Sequence, residues 1–443
     1  MDFLPILLVT ESGNITFGSG SFLFLVAISL ALCAVTLVHT NFGLVVLIFS
    51  MLLSPEITVA EVPQRAVAIR VDDILLLVVF FTWIAKMAIF KEIALFKPTP
   101  LNGPILFYIL CCIFATTFRG MREPHVVLGS FFYLFKYVEY FLLYFMFVNA
   151  IETEKQARLF LTCALVTCLV VCVYVFNDVA HMGGVVRASA PFEGENREPA
   201  SLGGYLLFML GVTLGLWAYA ATPREKFFYA FSALMILSAF VFSTARGAFL
   251  GAPAMYFMIL LLTKKRRILL SLFLILVLFL IPLIVPPHII AFAREAFTGK
   301  SYKVGSVQVQ LGGSGVARVE NWRNLLKMIY QRPFLGHGVA GAGLIDNQYL
   351  RVLAEVGLVG MAIYLWLLWR IYRMGIQTFY TVEGALKGLA LGFLGGFVGL
   401  LIQGLSANSF IIVRIMEPFW FAAAIVTTLP QLKKESETMR AAA

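Results

Sequence analysis

Charged residues are scarce in this chain: Asp, Glu, Lys and Arg make up 13% of its 443 residues, against 60% hydrophobic and 14% aromatic. So little charge does not cover the surface of a water-soluble globule, which excludes a soluble fold. Histidine is rarer still, and none of the five stands at ligand spacing beside the six cysteines. Cys33, Cys111, Cys112, Cys163, Cys168 and Cys172 all fall inside apolar segments, so they read as packing residues rather than as a metal cluster or a disulfide framework. Also missing are a long polar linker, an internal repeat and the short alternating segments that a transmembrane β-barrel needs. The opening MDFLPILLVTESGNITF lacks the basic n-region and small-residue cleavage pattern of a removable signal peptide, so it is expected to stay in the mature protein.

What is present is a succession of apolar runs, each long enough to cross roughly 30 Å of hydrocarbon as a helix of about 20 residues. Residues 268–285 are apolar on every face apart from Ser271, which suits a helix in lipid. The runs predict helices at 21–38, 42–54, 72–90, 101–118, 131–150, 157–176, 200–221, 226–243, 246–263, 268–286, 347–369, 385–404 and 410–429. The expected fold class is therefore all-α, a polytopic membrane helix bundle of about 12 to 13 spans. It is expected to form a single membrane domain over 1–443, with one large extracytoplasmic loop at 288–346.

If the spans alternate, the short basic loops fall on one face: KKRR at 264–267, TPREK at 222–226, WRIYR at 369–373 and the Lys433/Lys434 tail. By the positive-inside rule that face is cytoplasmic. The opposite face carries loops 55–71, 119–130, 177–199 and 288–346, and it too is rich in cations, Arg65, Arg70, Arg119 and Arg122 among them. Long loops tolerate Lys and Arg without effect on topology; the alternative is that an anion visits this face.

Candidate functional residues gather there. Arg246, in S-T-A-R-G-A-F-L-G, stands at the hydrocarbon edge, where an unpaired guanidinium costs about 2.5–3.5 kcal/mol and an anion site is the alternative to snorkelling. In the large loop, S-G-V-A-R-V-E-N-W-R-N-L-L-K-M-I-Y reads as an amphipathic helix with Val319, Trp322, Leu325, Leu326 and Ile329 on one face. Arg318 opens that helix against its dipole, which an external anion would relieve, while Arg323 and Lys327 read as a solvated face. Asp346 is expected to cap the helix at 347 and is also a candidate proton acceptor; His337, flanked by glycines, is a second candidate base or a histidine bonded to backbone. Arg351 and Glu355 are one turn apart and are expected to pair. Lys136 and Glu139 pair likewise or line a polar entrance. Arg187 lies in the Gly/Pro-punctuated stretch V-R-A-S-A-P-F-E-G-E-N-R-E-P-A-S-L-G-G-Y-L, whose acids are possible partners for its arginines.

That stretch, together with S-T-A-R-G-A-F-L-G, R-V-E-N-W-R-N-L-L-K-M-I-Y-Q-R-P-F-L-G-H-G and D-N-Q-Y-L-R-V-L-A-E-V-G-L-V-G, resembles the O-antigen ligase and Wzy-type polysaccharide polymerase family over most of the chain. The resemblance implies a GT-C-like fold and an inverting, metal-independent glycosyltransferase in the bacterial inner membrane, with its active site facing the periplasm and no cofactor. It makes Arg246 and Arg318 the cations that hold an undecaprenyl pyrophosphate, with Arg187 in support. The remaining polar and aromatic groups, including Arg197, Asn347, Tyr349, Arg351, Glu355, Lys136 and Glu139, would contact the glycan. Many members carry histidine where this sequence has Asp346, a departure that favours a polymerase of O-antigen or exopolysaccharide over a ligase.

The expected partners are an undecaprenyl-pyrophosphate-linked glycan, the bilayer, an acceptor glycan or lipid A core, and other envelope polysaccharide assembly proteins, with no nucleic acid. The alternatives are an O-antigen ligase, a lipid-linked oligosaccharide transporter, which calls for repeated halves and charged midplane helices, and a non-catalytic assembly partner.

Overall fold

A computed structural model describes residues 35–272 and 300–442, together with residue 275, with breaks at 37–38, 55, 63–64, 90–96, 122, 124–126, 182–186, 192, 194–196, 305–306, 312–322, 324 and 344. Its helices are α1 (Thr40–Leu53), α2 (Val71–Ile89), α3 (Asn102–Gly120), α4 (Val127–Ala150), α5 (Glu154–His181), α6 (Pro199–Tyr219), α7 (Pro223–Ser243), α8 (Arg246–Leu262), α9 (Gln348–Thr381), α10 (Gly384–Gln403) and α11 (Val413–Ala442). Among the described residues seven helices, α3 to α7, α9 and α10, are long and apolar enough to cross a membrane, while α1 and α8 are shorter apolar helices. The chain is a multi-pass membrane protein. Most of 21–38 and of 268–286 lies outside the described residues.

The all-α fold class expected from the apolar runs holds. Two short antiparallel hairpins occur in the loops, β1 (Glu56–Val62) with β2 (Arg65–Arg70) and β3 (Lys300–Val304) with β4 (Val307–Leu311). Both are too short to add a layer, and among the described residues each forms its own two-stranded sheet.

The centre of the bundle is α6, buried along most of its length, packed against α10. Small residues make this possible, because helices in lipid associate by close backbone approach rather than by hydrophobic exclusion. A Cβ at Gly392 would stand 2.5 Å from the Gly211 carbonyl oxygen, and one at Gly251 of α8 would stand 2.5 Å from that of Gly399. Gly392→Leu is therefore expected to lower the thermal unfolding temperature in detergent, by a destabilisation of about 1–3 kcal/mol or more. Gly103→Ala, whose new methyl would meet only Trp366 at 3.9 Å, is the control expected to change little.

Alternating helix direction sorts the connections to two ends. At one, Lys97 bonds the Asn149 side chain at 3.0 Å, Arg266 donates to the Ala220 carbonyl at 2.9 Å, and Lys433 to that of Thr381 at 3.0 Å. This is the end carrying KKRR, TPREK and the basic tail. The other end holds the starts of α2, α4, α6, α8, α9 and α11.

α9 differs from the single span expected at 347–369. It runs on to Thr381, and Gly357 breaks it with φ 65° and ψ −167°. The freed backbone groups are taken up by the segment Pro333–Gly338: Leu358 N donates to Pro333 O at 2.8 Å, while Ala354 O and Glu355 O accept from His337 N and Gly338 N, each at 2.8 Å. Unpaired backbone at that depth would be costly. The Pro-x-x-Gly-x-Gly pattern thus closes a helix break, with Gly336 and Gly338 at φ 65° and 77° supplying the left-handed turns.

Candidate functional site

Arg246 starts α8 two residues after Thr244, which ends α7 in the left-handed region at φ 48°. The tight reversal places Arg187 beside it: Arg187 Nε donates to Thr244 Oγ1 at 3.0 Å and Nη2 to Thr244 O at 3.3 Å, and Ala188 N bonds Phe242 O at 3.2 Å. Partial desolvation, and after it the neighbouring charge of Arg246, lower the proton affinity of the Arg187 guanidinium. Two guanidiniums therefore stand near each other at this end of the bundle, a setting that suits an anion.

The turn at 403–410 joins this pair to the start of α9. A Cβ at Gly247 would lie 2.2 Å from Ser406 Oγ, so the turn sits directly on the start of α8. Gln403 Nε2 donates to Ala200 O of α6 at 3.0 Å, Asn347 Nδ2 to Leu405 O at 2.9 Å, and Gln348 N to Gly404 O at 2.8 Å. The cap of α9 is Asn347, not Asp346: Asn347 Oδ1 accepts from the amides of Tyr349 and Leu350, both at 3.0 Å. Either residue type suits a cap, and the extended backbone at Asn347 decides between them. Asp346 is thereby released as an exposed carboxylate at the helix start.

Most of the other expected contact residues turn out to be engaged within the protein. His337 Nε2 lies 2.8 Å from Met328 O, and since a carbonyl only accepts, that nitrogen carries the proton. Tyr349 Oη donates to Leu401 O at 2.7 Å. Arg351 and Glu355 pair at 2.9 Å in a buried setting, where Glu355 also accepts from Ala340 N at 3.0 Å and Tyr137 Oη at 3.3 Å, so that it ties the glycine segment to α4. Arg197 forms a two-pronged pair with Asp178, both contacts 3.2 Å.

Lys136 contacts Glu139 at 3.3 Å and also bonds Asp73. Beside them Arg70 pairs with Asp72 and, at 3.2 Å, with Glu417 of α11, while donating to Met51 O at 2.8 Å. Asp72, Asp73, Glu417, Arg414 and Thr244 were not singled out by sequence reasoning. The available signal was an Asp pair opening one apolar run and an Arg–Glu pair opening another, both costly in lipid unless partnered.

Arg318, Val319 and Trp322 lie outside the described residues. Of the remaining residues on that expected face, Leu325 and Ile329 pack with Ile345, Leu350 and Ala354, whereas Leu326 is exposed. Arg323 and Lys327 are exposed, as a solvated face requires. Among the described residues no His, Cys, Asp and Glu group is arranged to hold a metal ion.

Residues 230–365 match the family described as O-Antigen ligase. The matched segment contains Arg246, Arg318, His337 and Asp346 and three of the four motifs that carried the resemblance. No curated protein matches the chain.

Proposed function

With the O-antigen ligase family match as premise, we propose that this chain is an inverting, metal-independent membrane glycosyltransferase that polymerises undecaprenyl-pyrophosphate-linked oligosaccharide repeats. It acts on the periplasmic face of the bacterial inner membrane. The observation that carries this reading is the placement of Arg187 on Thr244, two residues before Arg246 and close enough to feel its charge. A pyrophosphate at this place accepts charge-assisted hydrogen bonds from both guanidiniums.

The reaction follows from that placement. The acceptor hydroxyl attacks the anomeric carbon of the donor, the bond to pyrophosphate breaks, and the fixed cations stabilise the charge that develops on the leaving group. Arg318 is proposed as a third cation at the same leaving group. Asp346 takes the hydroxyl proton, being exposed and relieved of the capping role by Asn347. His337 is the weaker candidate, with one ring nitrogen committed to Met328 O. Asn347, Tyr349, Arg351 and Glu355 serve as the frame that holds Asp346, and Lys136, Glu139 and Arg197 border the approach of the glycan.

Asp346→Asn is expected to lower transfer by about 10²–10⁴-fold, the usual contribution of a positioned base. Asp346→His should retain most of the activity, since imidazole serves the same proton transfer. Equal activity of the wild-type and Asn forms would remove Asp346 from the mechanism. The description of the matched family favours a second reading, a ligase, which differs only in its acceptor. Reconstituted protein given the donor with and without lipid A core separates the two: a ladder without core marks a polymerase, and product only with core marks a ligase.

A further inference from the structure

Arg414 is the second residue of α11, a position where a cation opposes the helix dipole. It is 3% exposed. Its Nη1 donates to Pro191 O at 2.6 Å and to Leu52 O at 3.5 Å, and its Nε stands 3.9 Å from Glu193 Oε1. Glu193 is buried too, and its other oxygen accepts from Glu198 N at 2.9 Å, at the entry to α6. Residues 187–191 and Glu193 are therefore fastened at two places: to the end of α7 through Arg187 and Ala188, and to α1 and α11 through Arg414. The second fastening pairs a buried cation with a buried carboxylate.

We propose that Arg414 is a positioning residue for the donor pyrophosphate: by holding Pro191 and Glu193 it keeps Arg187 opposite Arg246 before the anion arrives. This rests on the reading of Arg187 and Arg246 as the pyrophosphate site. Arg414 touches no substrate. Its effect is preorganisation, which appears in the KM for donor more than in kcat.

The test uses the full-length reconstituted chain with Arg414→Gln, Arg414→Lys and, on the partner side, Glu193→Gln, so that a folding failure of one variant leaves the others informative. Arg414→Gln should raise the donor KM about tenfold or more, the effect of losing a charged hydrogen bond. Arg414→Lys should recover part of that loss, and Glu193→Gln should show a smaller effect of the same kind. Combined with Arg187→Ala, Arg414→Gln should add nothing, because its whole effect passes through Arg187. An additive double variant, or an unchanged KM in folded Arg414→Gln and Glu193→Gln, overturns the proposal.

Trypsin cleavage after the exposed Arg187 in detergent-solubilised protein reads the same fastening without any glycan. It should quicken about tenfold in Arg414→Gln, and an unchanged rate also overturns the proposal. Full activity of Arg187→Ala with Arg414 intact would instead overturn the pyrophosphate-site reading, a failure distinguishable because it needs no change at Arg414.

Discussion

Replacing Arg246 by alanine is expected to lower glycan transfer by about 10²–10³-fold while the protein still folds and reconstitutes normally. The size follows from what the side chain does in the proposed reaction. A departing pyrophosphate gathers negative charge as the glycosidic bond breaks, and a cation already fixed at that place costs no reorganisation at the moment of reaction. Arg246 is fixed by the tight reversal at Thr244 and by the 403–410 turn packed on Gly247. Arg246→Lys should recover only part of the loss, since a point charge does not reproduce the bidentate fork. The measurement is the initial rate of lipid-linked product formation. A rate within twofold of wild type would remove Arg246 from the site.

The second large effect is on stability. Arg70→Met is expected to destabilise the protein by about 3–5 kcal/mol, because it leaves Asp72 and Glu417 buried together without their shared cation. Adding Glu417→Gln should return part of that loss by removing one of the stranded charges. Thermal unfolding in detergent reads both variants. An Arg70→Met protein that melts with the wild type would mean that the ion pairs of Arg70 with Asp72 and Glu417 contribute nothing to stability.

The positions of the spans were legible because hydropathy needs only an apolar run and its punctuation, and α3 to α8 follow the sequence limits within a few residues. The break at Gly357 was not, since V-G-L-V-G is a continuous apolar run and nothing in it tells of Pro333–Gly338 packing into the gap. The hairpin at 56–70 carried its own signal, the alternation in E-I-T-V-A-E-V and R-A-V-A-I-R, which reading the segment as a loop passed over.

Of the candidate site, Arg187 and Arg246 could each be picked out as cations near an interface, yet their adjacency depends on how α7 turns into α8. The network around Lys136 shows why pairing is harder to read than position. Its i,i+3 partner Glu139 is visible in sequence, whereas Asp73, 63 residues away, meets it only when α2 packs on α4. Asp346 and Asn347 are adjacent residues of equal capping propensity, so only the backbone decides which one is left exposed.

The most direct test of the central claim is glycan extension by wild-type protein in proteoliposomes supplied only with purified undecaprenyl-pyrophosphate-linked repeat units. The account predicts a ladder of longer lipid-linked products whose formation slows by about 10²–10³-fold in Arg246→Ala and Arg187→Ala. A folded, reconstituted protein that yields no ladder, or one whose ladder forms at the wild-type rate in both variants, would contradict it.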